Sequence, residues 1–289
     1  MALIHSKKWL TLLLPCFLII ALVLTGCTSS SSTSATISTS TQLSGTITES
    51  GSTTVQPLAE VLAEDFRQAN PNVKVIIQGG GSSVGIKAVN DGTVDLGAAS
   101  REMTQDDPAL VTHLLARDGI AVIVNPANPV NGLTKTQIRD IYSGSLTNWN
   151  QVGGEDHEIH VSAREEGSGT RTAFQDMVMG KDANGNAISI TTSAILQSSN
   201  GALVQVVKSD SWAIGFVSFG YLGDSIKALS IDGVAATEEN AKNGTYPIVR
   251  PLYFLTKEQP AGLVKAFLDY CTSTAAQKII TDEGYISVQ

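Results

Sequence analysis

The chain has 289 residues, of which 42% are hydrophobic, 6% aromatic and 16% charged. This composition excludes a disordered, collagen-like or coiled-coil chain, and the length predicts one large or two smaller domains. There are 19 Lys and Arg against 27 Asp and Glu, and the formal net charge of -8 argues against binding of DNA or RNA.

Residues 1–26 are predicted to be a signal peptide. Lys7 and Lys8 form a cationic start, and an apolar run over residues 9–24 follows. This run is shorter than the ~20 residues that a membrane-spanning helix needs, which favours a cleaved export signal over a permanent anchor.

The apolar run ends in Leu-Thr-Gly-Cys at residues 24–27. This sequence is similar to the bacterial lipobox, in which the cysteine is acylated and becomes the first residue of the mature protein. We therefore expect residues 27–44 to comprise a lipidated Cys27 and a tether rich in Ser and Thr, because such a stretch cannot bury apolar area.

The three cysteines are too few and too scattered for a disulfide framework or a structural zinc site. Cys16 would leave with the signal peptide and Cys27 would carry lipid. The remaining Cys271 continues the helical apolar series of Leu263 and Phe267, which predicts a buried core thiol.

From residue 45 onward, short β-rich runs alternate with amphipathic helical patterns, which predicts α/β units around mainly parallel sheets. The first helix has Pro57 near its start and an apolar face that includes Leu58 and Phe66. A predicted strand at 73–77, a helix at 82–90 and a strand at 94–98 then make a β-α-β unit.

Two apolar segments marked by proline, 120–126 and 247–254, bracket the central part of the chain. This arrangement predicts two lobes joined by two crossover strands, with C-terminal helices from about Pro260 returning to the first lobe. The predicted lobes are residues 45–122 plus 250–289, and residues 123–249.

Three segments share a turn rich in hydroxyl groups and glycine that leads into a helix: residues 49–54, 79–85 and 164–171. A helix start offers unpaired N–H groups and a positive dipole end, and glycine lets an oxyanion approach the backbone. Each Ser or Thr could be an ordinary N-cap. Together, with Arg164 placed four residues before Ser168, the three turns indicate a site for a small tetrahedral oxyanion.

The second turn does not match known nucleotide-binding motifs. A P-loop requires a Lys directly after its last glycine, and here Ile86 separates Gly85 from Lys87. The dinucleotide fingerprint fails as well, because Val84 occupies the position of the third glycine. Neither class of cofactor is predicted.

Hydrolase and metal motifs are absent from the same segments. The serine-hydrolase elbow needs glycines two residues on either side of the serine, and Ser168 has Glu166 and Thr170 there. His157 and His160 are three residues apart, whereas the helical zinc motif needs four. We expect these histidines in a polar surface turn or strand, and we predict no catalytic residue and no metal.

Seven segments in register carry a family resemblance. They are the lipobox, GSTTVQPL at 51–58, GGSSVGI at 80–86, VDLGAASR at 94–101, IYSG with TNW at 141–149, the turn at 164–171, and WAIGF at 212–216. With these, the chain resembles the phosphate-binding proteins of bacterial high-affinity phosphate ABC transporters over essentially all of residues 45–289.

The resemblance implies a two-lobed α/β periplasmic-binding-protein fold, of the class with two crossover strands, that closes on one phosphate in the cleft between the lobes. It implies a phosphate site formed by Thr53, Thr54, Ser82, Ser100, Arg164, Ser168, Gly169 and Thr170. Arg164 would bind two phosphate oxygens through its forked guanidinium, and neutral donors would bind the others.

One position departs from the family pattern. Many relatives have an Asp where this chain has Ser100, followed by Arg101, and a carboxylate there can accept the proton that hydrogen phosphate carries and sulfate lacks. A serine repels sulfate far less than a carboxylate does. We expect Asp95 to be a structural strand-end residue and not the replacement acceptor.

The sequence therefore predicts a monomeric receptor, lipid-anchored on the extracytoplasmic face of the cell membrane, that delivers inorganic phosphate to an ABC transporter permease. It predicts no cofactor and no nucleic-acid partner. The alternatives are a receptor for sulfate, molybdate or a phosphonate, a secreted phosphatase, and an adhesin or signalling receptor on the same fold.

Overall fold

The computed structural model describes residues 42–289. The predicted signal peptide, Cys27 and most of the predicted tether lie outside these residues. Within residues 42–289, no helix is both long enough and apolar enough to cross a membrane.

Strands and helices alternate along the described residues. The strands are β1 (Gly45–Gly51), β2 (Val73–Gly79), β3 (Leu96–Ala99), β4 (Val111–Val124), β5 (Gly132–Leu133), β6 (His160–Arg164), β7 (Ile195–Gln197), β8 (Ala213–Ser218), β9 (Lys227–Ala228), β10 (Ser230–Ile231) and β11 (Val249–Thr256). The helices are α1 (Val55–Ala69), α2 (Ser82–Asn90), α3 (Lys135–Tyr142), α4 (Gly169–Phe174), α5 (Asn200–Ser209), α6 (Glu238–Lys242), α7 (Gly262–Cys271) and α8 (Thr274–Asp282).

Most strands of this part of the chain join one sheet, in the order β2-β1-β3-β11-β4-β8-β6-β7, with β9 also paired to β4. The pairs at its two ends are parallel: β1 with β2 and β3, and β6 with β7 and β8. The long strands β4 and β11 pair antiparallel in the middle. The prediction of mainly parallel strands therefore holds for the two ends, and the centre is antiparallel.

The predicted β-α-β unit is present as β2, α2 and β3, and the predicted helix at 82–90 matches α2. Strand β1 lies between β2 and β3 and is parallel to both. The ends of β1, β2 and β3 therefore meet at one edge of the sheet, where the turns that follow them come together.

The buried apolar side chains form two main cores. The first core contains the inner faces of α1, α7 and α8, with members such as Leu58, Leu62 and Phe267. The second core contains residues from β4 onward, including Trp149 and Phe216. The C-terminal helices pack in the first core, as the sequence predicts.

Strands β4 and β11 pass from one core to the other. In β4, Leu115 and Ala116 pack in the first core, whereas residues from Ile120 onward pack in the second. In β11, Phe254 belongs to the first core, and Val249 packs against the second. These two strands occupy the positions of the predicted crossovers.

Cys271 is a buried free thiol at the end of α7, which confirms the prediction for this residue. It packs in the first core with Phe267, and burial raises the pKa of the thiol well above its ordinary value. The thiol is therefore protonated and unreactive at neutral pH.

Glu49 is a buried carboxyl group in β1, only 1% exposed. Burial raises its pKa from 4.5 to about 8, the backbone of Gln78 opposes this change, and the charge of Glu60 adds to it. The folded protein therefore keeps a proton on Glu49 at neutral pH.

The variant Glu49→Gln should remove a pH dependence of stability. The contribution of Glu49 is complete below about pH 4.5 and is lost as the pH rises to about 8, because only the unfolded chain releases the proton in that window. Between pH 6 and 8, the unfolding free energy of the wild type should fall by about 2 kcal/mol relative to the variant. Urea unfolding at several pH values measures this difference in unfolding free energy between wild type and variant. The exposed Glu64→Gln is the control, and parallel curves for wild type and Glu49→Gln would refute the buried neutral acid.

Candidate functional site

The first hydroxyl-rich turn connects β1 to α1 and is buried. Thr53 is 8% exposed and Thr54 is fully buried, although neither side chain caps the helix. The hydroxyl of Ser52 instead accepts from the backbone N–H groups of Thr54, at 3.2 Å, and Val55, at 3.4 Å. The Thr53 and Thr54 hydroxyls are therefore available for other partners.

The second turn connects β2 to α2 and brings Ser82 beside Ser100. Gly80 and Gly81 have φ angles of 148° and 96°, which favour glycine. The Ser82 hydroxyl oxygen accepts from the backbone N–H of Ser100 at 3.0 Å, and the two hydroxyl oxygens are 3.4 Å apart. Both serines are buried, Ser100 directly after β3.

The third turn connects β6 to α4. Ser168 is the N-cap of α4 and accepts from the backbone N–H of Arg171 at 3.3 Å, so its oxygen does have the ordinary capping role. Gly169 and Thr170 are the first two residues of the helix, and both are buried.

The second and third turns contact each other directly, and so do the first and third. The Thr54 and Thr170 hydroxyl oxygens are 3.1 Å apart, and the Ser83 backbone N–H donates to the Gly167 carbonyl at 3.1 Å. A Cβ on Gly169 would lie 2.2 Å from the Ser82 hydroxyl oxygen and 2.8 Å from that of Ser100. The structure therefore brings all three turns to one place.

Arg164 supplies a buried positive charge at the end of β6. It is 1% exposed, and its Nε and Nη2 donate to the carbonyls of Gln197, at 3.0 Å, and Ser198, at 2.9 Å. Burial lowers its pKa to about 10, the charge of Glu165 opposes this, and that of Arg250 adds to it. Arg164 stays charged at neutral pH, and no carboxylate in the described part of the chain pairs with it.

Sequence reasoning missed a second buried arginine, Arg250 in β11. Its Nη2 donates to Asp118 Oδ2 at 2.8 Å, and to the Thr54 hydroxyl at 3.1 Å. Its Nη1 donates to the Ser100 carbonyl at 3.0 Å. Asp118 also accepts from Ser218. The signal in the sequence was a charged residue inside each apolar crossover strand. The Asp118–Arg250 pair holds the Thr54 hydroxyl and the Ser100 carbonyl in place.

The Thr54 hydroxyl has three polar neighbours, and they determine which of them accepts its proton. It lies 3.1 Å from Arg250 Nη2, 3.0 Å from Asn200 Nδ2 and 3.1 Å from the Thr170 hydroxyl. The two nitrogens donate and use both lone pairs, so the Thr54 proton goes to Thr170. The Thr170 proton then remains available to another acceptor.

Sequence reasoning also missed Asn200, Tyr221 and Tyr285. Asn200, the first residue of α5, is fully buried and contacts both Thr53 and Thr54 through its amide. The phenol groups donate to the backbone of the first turn: Tyr221 to the Thr53 carbonyl at 2.7 Å, and Tyr285 to the Thr54 carbonyl at 3.0 Å. For Asn200, the available sequence signal was the Ser-Ser-Asn segment at the start of α5, which resembles the other polar helix starts.

Two charged residues near Ser100 have structural partners. Asp95 accepts from the backbone N–H and hydroxyl of Thr48, both at 2.8 Å, which confirms its predicted structural role. Arg101 donates to both carboxylate oxygens of Asp107 at 2.7 Å. This contact lowers the pKa of Asp107 to about 2 and fixes Arg101 to the following loop.

The two histidines of the 157–160 segment lie in a polar surface region, as expected. The His157 ring stacks on Trp212 with ring centroids 3.8 Å apart, and His160 Nδ1 lies 2.7 Å from Asp210 Oδ2. No group of three or more His, Cys, Asp or Glu side chains suited to a metal occurs in residues 42–289.

Comparison with known proteins identifies the family. A model of the PBP superfamily domain matches residues 36–275. The phosphate-binding protein PstS of Bacillus subtilis is 38% identical over 251 residues, which are 85% of this chain and 81% of the relative. The chain belongs to the phosphate-binding proteins of the PBP superfamily. PstS of Borreliella burgdorferi is 27% identical over 83% of this chain and 88% of that one.

Two solved structures give the same result. A putative phosphate ABC transporter substrate-binding protein from Clostridium perfringens, with bound phosphate, is 39% identical and has a TM-score of 0.80; the match covers 85% of this chain and all of that one. An ABC-type phosphate transport receptor from Vibrio cholerae is 36% identical, with a TM-score of 0.70 and coverage of 84% and 100%. The fold is therefore the periplasmic-binding-protein fold that the sequence predicts.

Proposed function

We propose that this protein is an extracytoplasmic receptor that binds inorganic phosphate and delivers it to the permease of an ABC transporter. The observation that carries the proposal is the buried charge of Arg164, which is 1% exposed and whose partners within residues 42–289 are all carbonyls. An unpaired buried charge is costly, and an anion removes that cost. The names of the bacterial relatives identify phosphate as the anion.

The phosphate site comprises the donors that the three turns bring together. Arg164 supplies the charge, and the neutral donors are the side chains of Thr53, Ser82, Ser100, Ser168 and Thr170 together with the backbone of Gly169. Thr54 orients the Thr170 hydroxyl, as its three contacts require. Neutral hydroxyls and one arginine can hold a dianion without a basic surface, which fits the net charge of -8.

The lobes are residues 45–122 plus 250–289, and residues 123–249, and they close about β4 and β11. The contact of Thr54 with Thr170, and that of Ser83 with Gly167, join the two lobes in the closed state. Phosphate favours this state because the first lobe supplies Ser82 and the second supplies Arg164.

The protein is a receptor and not an enzyme. A serine or threonine nucleophile needs a neighbouring base, and within residues 42–289 the side chains bonded to the Thr54, Ser82, Ser100 and Thr170 hydroxyls are hydroxyl, amide and guanidinium groups. Purified protein should retain labelled phosphate in equilibrium dialysis and release none from p-nitrophenyl phosphate. Ester hydrolysis without retention would support the phosphatase alternative.

One observation favours a second ligand class. Within residues 42–289 no carboxylate is hydrogen-bonded to Ser100, so a fully ionised oxyanion such as sulfate meets little repulsion there. Sulfate, molybdate or a phosphonate is therefore the alternative ligand, and competition against phosphate separates them.

We also propose a lipid anchor at Cys27, followed by the Ser- and Thr-rich tether, on a monomeric receptor. The support is the lipobox-like sequence at residues 24–27, at the end of the apolar run. A tether lets the domain remain at the membrane and still reach the permease.

Gly169→Ala should weaken phosphate binding. The new Cβ would lie 2.2 Å from the Ser82 hydroxyl oxygen, so the turns must separate before the lobes can close. Overpacking of this kind costs about 1–3 kcal/mol, or roughly 10- to 100-fold in affinity. Calorimetric titration measures it, with Gly223→Ala as control because no atom lies within 4 Å of the added Cβ there. Equal affinities for the two variants would place the site elsewhere.

A further inference from the structure

Asn200 has one polar atom that no described residue satisfies. The residue is fully buried, and its Oδ1 has no hydrogen-bond partner. Its Nδ2 donates to the Thr54 hydroxyl at 3.0 Å and to that of Thr53 at 3.4 Å. An unsatisfied buried acceptor destabilises the folded state, so a native structure retains one only for a reason.

The Asn200 side chain lies beside residues of the proposed phosphate site. The Thr54 hydroxyl that Asn200 contacts also accepts from Arg250 Nη2 at 3.1 Å. Asn200 lies two residues after Ser198, whose carbonyl, with that of Gln197, holds Arg164. Two guanidinium groups and several hydroxyls suit an anion, whereas the lone pairs of an amide oxygen repel one unless the anion itself carries a proton.

We propose that Asn200 Oδ1 accepts the hydrogen bond of the P–OH group of bound hydrogen phosphate, and so makes the site selective for protonated oxyanions. This inference rests on the proposed function. In the structure, Nδ2 of the amide faces the Thr53 and Thr54 hydroxyls, and Oδ1 is the free end. A neutral acceptor leaves the proton on phosphate and adds no negative charge beside a dianion.

The proposal assigns to Asn200 the discrimination that Ser100 does not provide. The Ser100 hydroxyl is 3.4 Å from that of Ser82 and 3.5 Å from Arg250 Nη1, and it can donate to any oxyanion. A hydroxyl therefore accommodates sulfate as readily as phosphate, whereas the Asn200 oxygen can pair only with an acidic proton on the ligand.

Titrations with four tetrahedral anions at neutral pH compare ligands that carry an O–H group with ligands that do not. Phosphate and arsenate carry an O–H group, whereas sulfate and monofluorophosphate are dianions without one. The wild type should prefer the first pair. In Asn200→Leu, phosphate and arsenate affinity should fall by about 10- to 100-fold, because the buried O–H loses its acceptor. Affinity for sulfate and monofluorophosphate should not fall, because the variant removes an oxygen that repels them, so the preference should collapse.

Two further variants complete the test. Ser199→Ala removes the cap of α5, whose oxygen accepts from the Ala202 backbone N–H at 3.0 Å, and should change binding of all four anions equally. Asn200→Asp keeps an acceptor and adds charge, so it should still bind phosphate over sulfate even if the leucine variant does not fold. An equal loss of all four anions in Asn200→Leu, or sulfate binding undiminished in Asn200→Asp, would overturn the proposal. A wild type that binds none of the four would instead refute the proposed function.

Discussion

Arg164→Lys should weaken phosphate binding by about 10- to 100-fold although the charge is conserved. In the wild type, Nε and one N–H of Nη2 are fixed on the carbonyls of Gln197 and Ser198, which leaves the other N–H of Nη2 and both N–H groups of Nη1 for the anion. A lysine has one nitrogen and cannot hold both carbonyls and the anion in this geometry. Loss of a hydrogen bond to a charged group costs about 1.5–3 kcal/mol, which gives the expected range.

Calorimetric titration of wild type and variant measures this effect directly. Arg67→Lys is the matched control, because Arg67 lies on the exposed face of α1 beside Glu64 and should leave phosphate affinity unchanged. If Arg164→Lys bound phosphate as tightly as the wild type, the site would not contain Arg164.

Asp118→Asn should destabilise the protein by about 3–5 kcal/mol, because it leaves the Arg250 guanidinium buried without a counter-charge. The two side chains are 0% and 1% exposed, and they join β4 to β11. Burial raises the pKa of Asp118, and the Arg250 charge, with donors from Ser218 and Phe219, opposes that change. The carboxylate accepts four hydrogen bonds, from 2.8 to 3.2 Å long, that an amide cannot reproduce in full.

Urea unfolding of wild type and Asp118→Asn without phosphate measures the loss of unfolding free energy. Asp269→Asn is the control, because the pair of Lys265 with Asp269 is exposed and contributes little. The double variant Asp118→Leu with Arg250→Met should recover much of the stability, since it removes both charges. Its phosphate affinity should stay reduced, because Arg250 also orients Thr54. A loss below about 1 kcal/mol in Asp118→Asn would mean that the pair is not a buried ion pair.

Local sequence signals predicted the elements around the site well. Helix α2 begins and ends where the pattern places it, and the hydroxyl- and glycine-rich turns all lie at starts of helices. These features depend on neighbouring residues only, through propensity, glycine conformation and unpaired N–H groups. The shared design of the three turns, together with Arg164, indicated a tetrahedral oxyanion, and the family resemblance then identified it as phosphate.

Contacts over long sequence separations could not be predicted in this way. Arg250 and Asp118 are separated by 132 positions, and Asn200 and Thr54 by 146. Which strands become neighbours decides both contacts, and one sequence does not reveal that order. The antiparallel centre of the sheet escaped prediction for the same reason, because the two long crossover strands resemble other buried strands in composition.

The central claim is that three turns and one unpaired arginine form a phosphate site, and calorimetric titration of the wild-type protein tests it most directly. The protein is first freed of carried-over anions and then titrated at neutral pH with phosphate and, separately, with sulfate. The account predicts saturable binding of one phosphate per chain, and much weaker binding of sulfate. Absence of phosphate binding would contradict the account, and equal binding of sulfate would leave a general oxyanion receptor in its place.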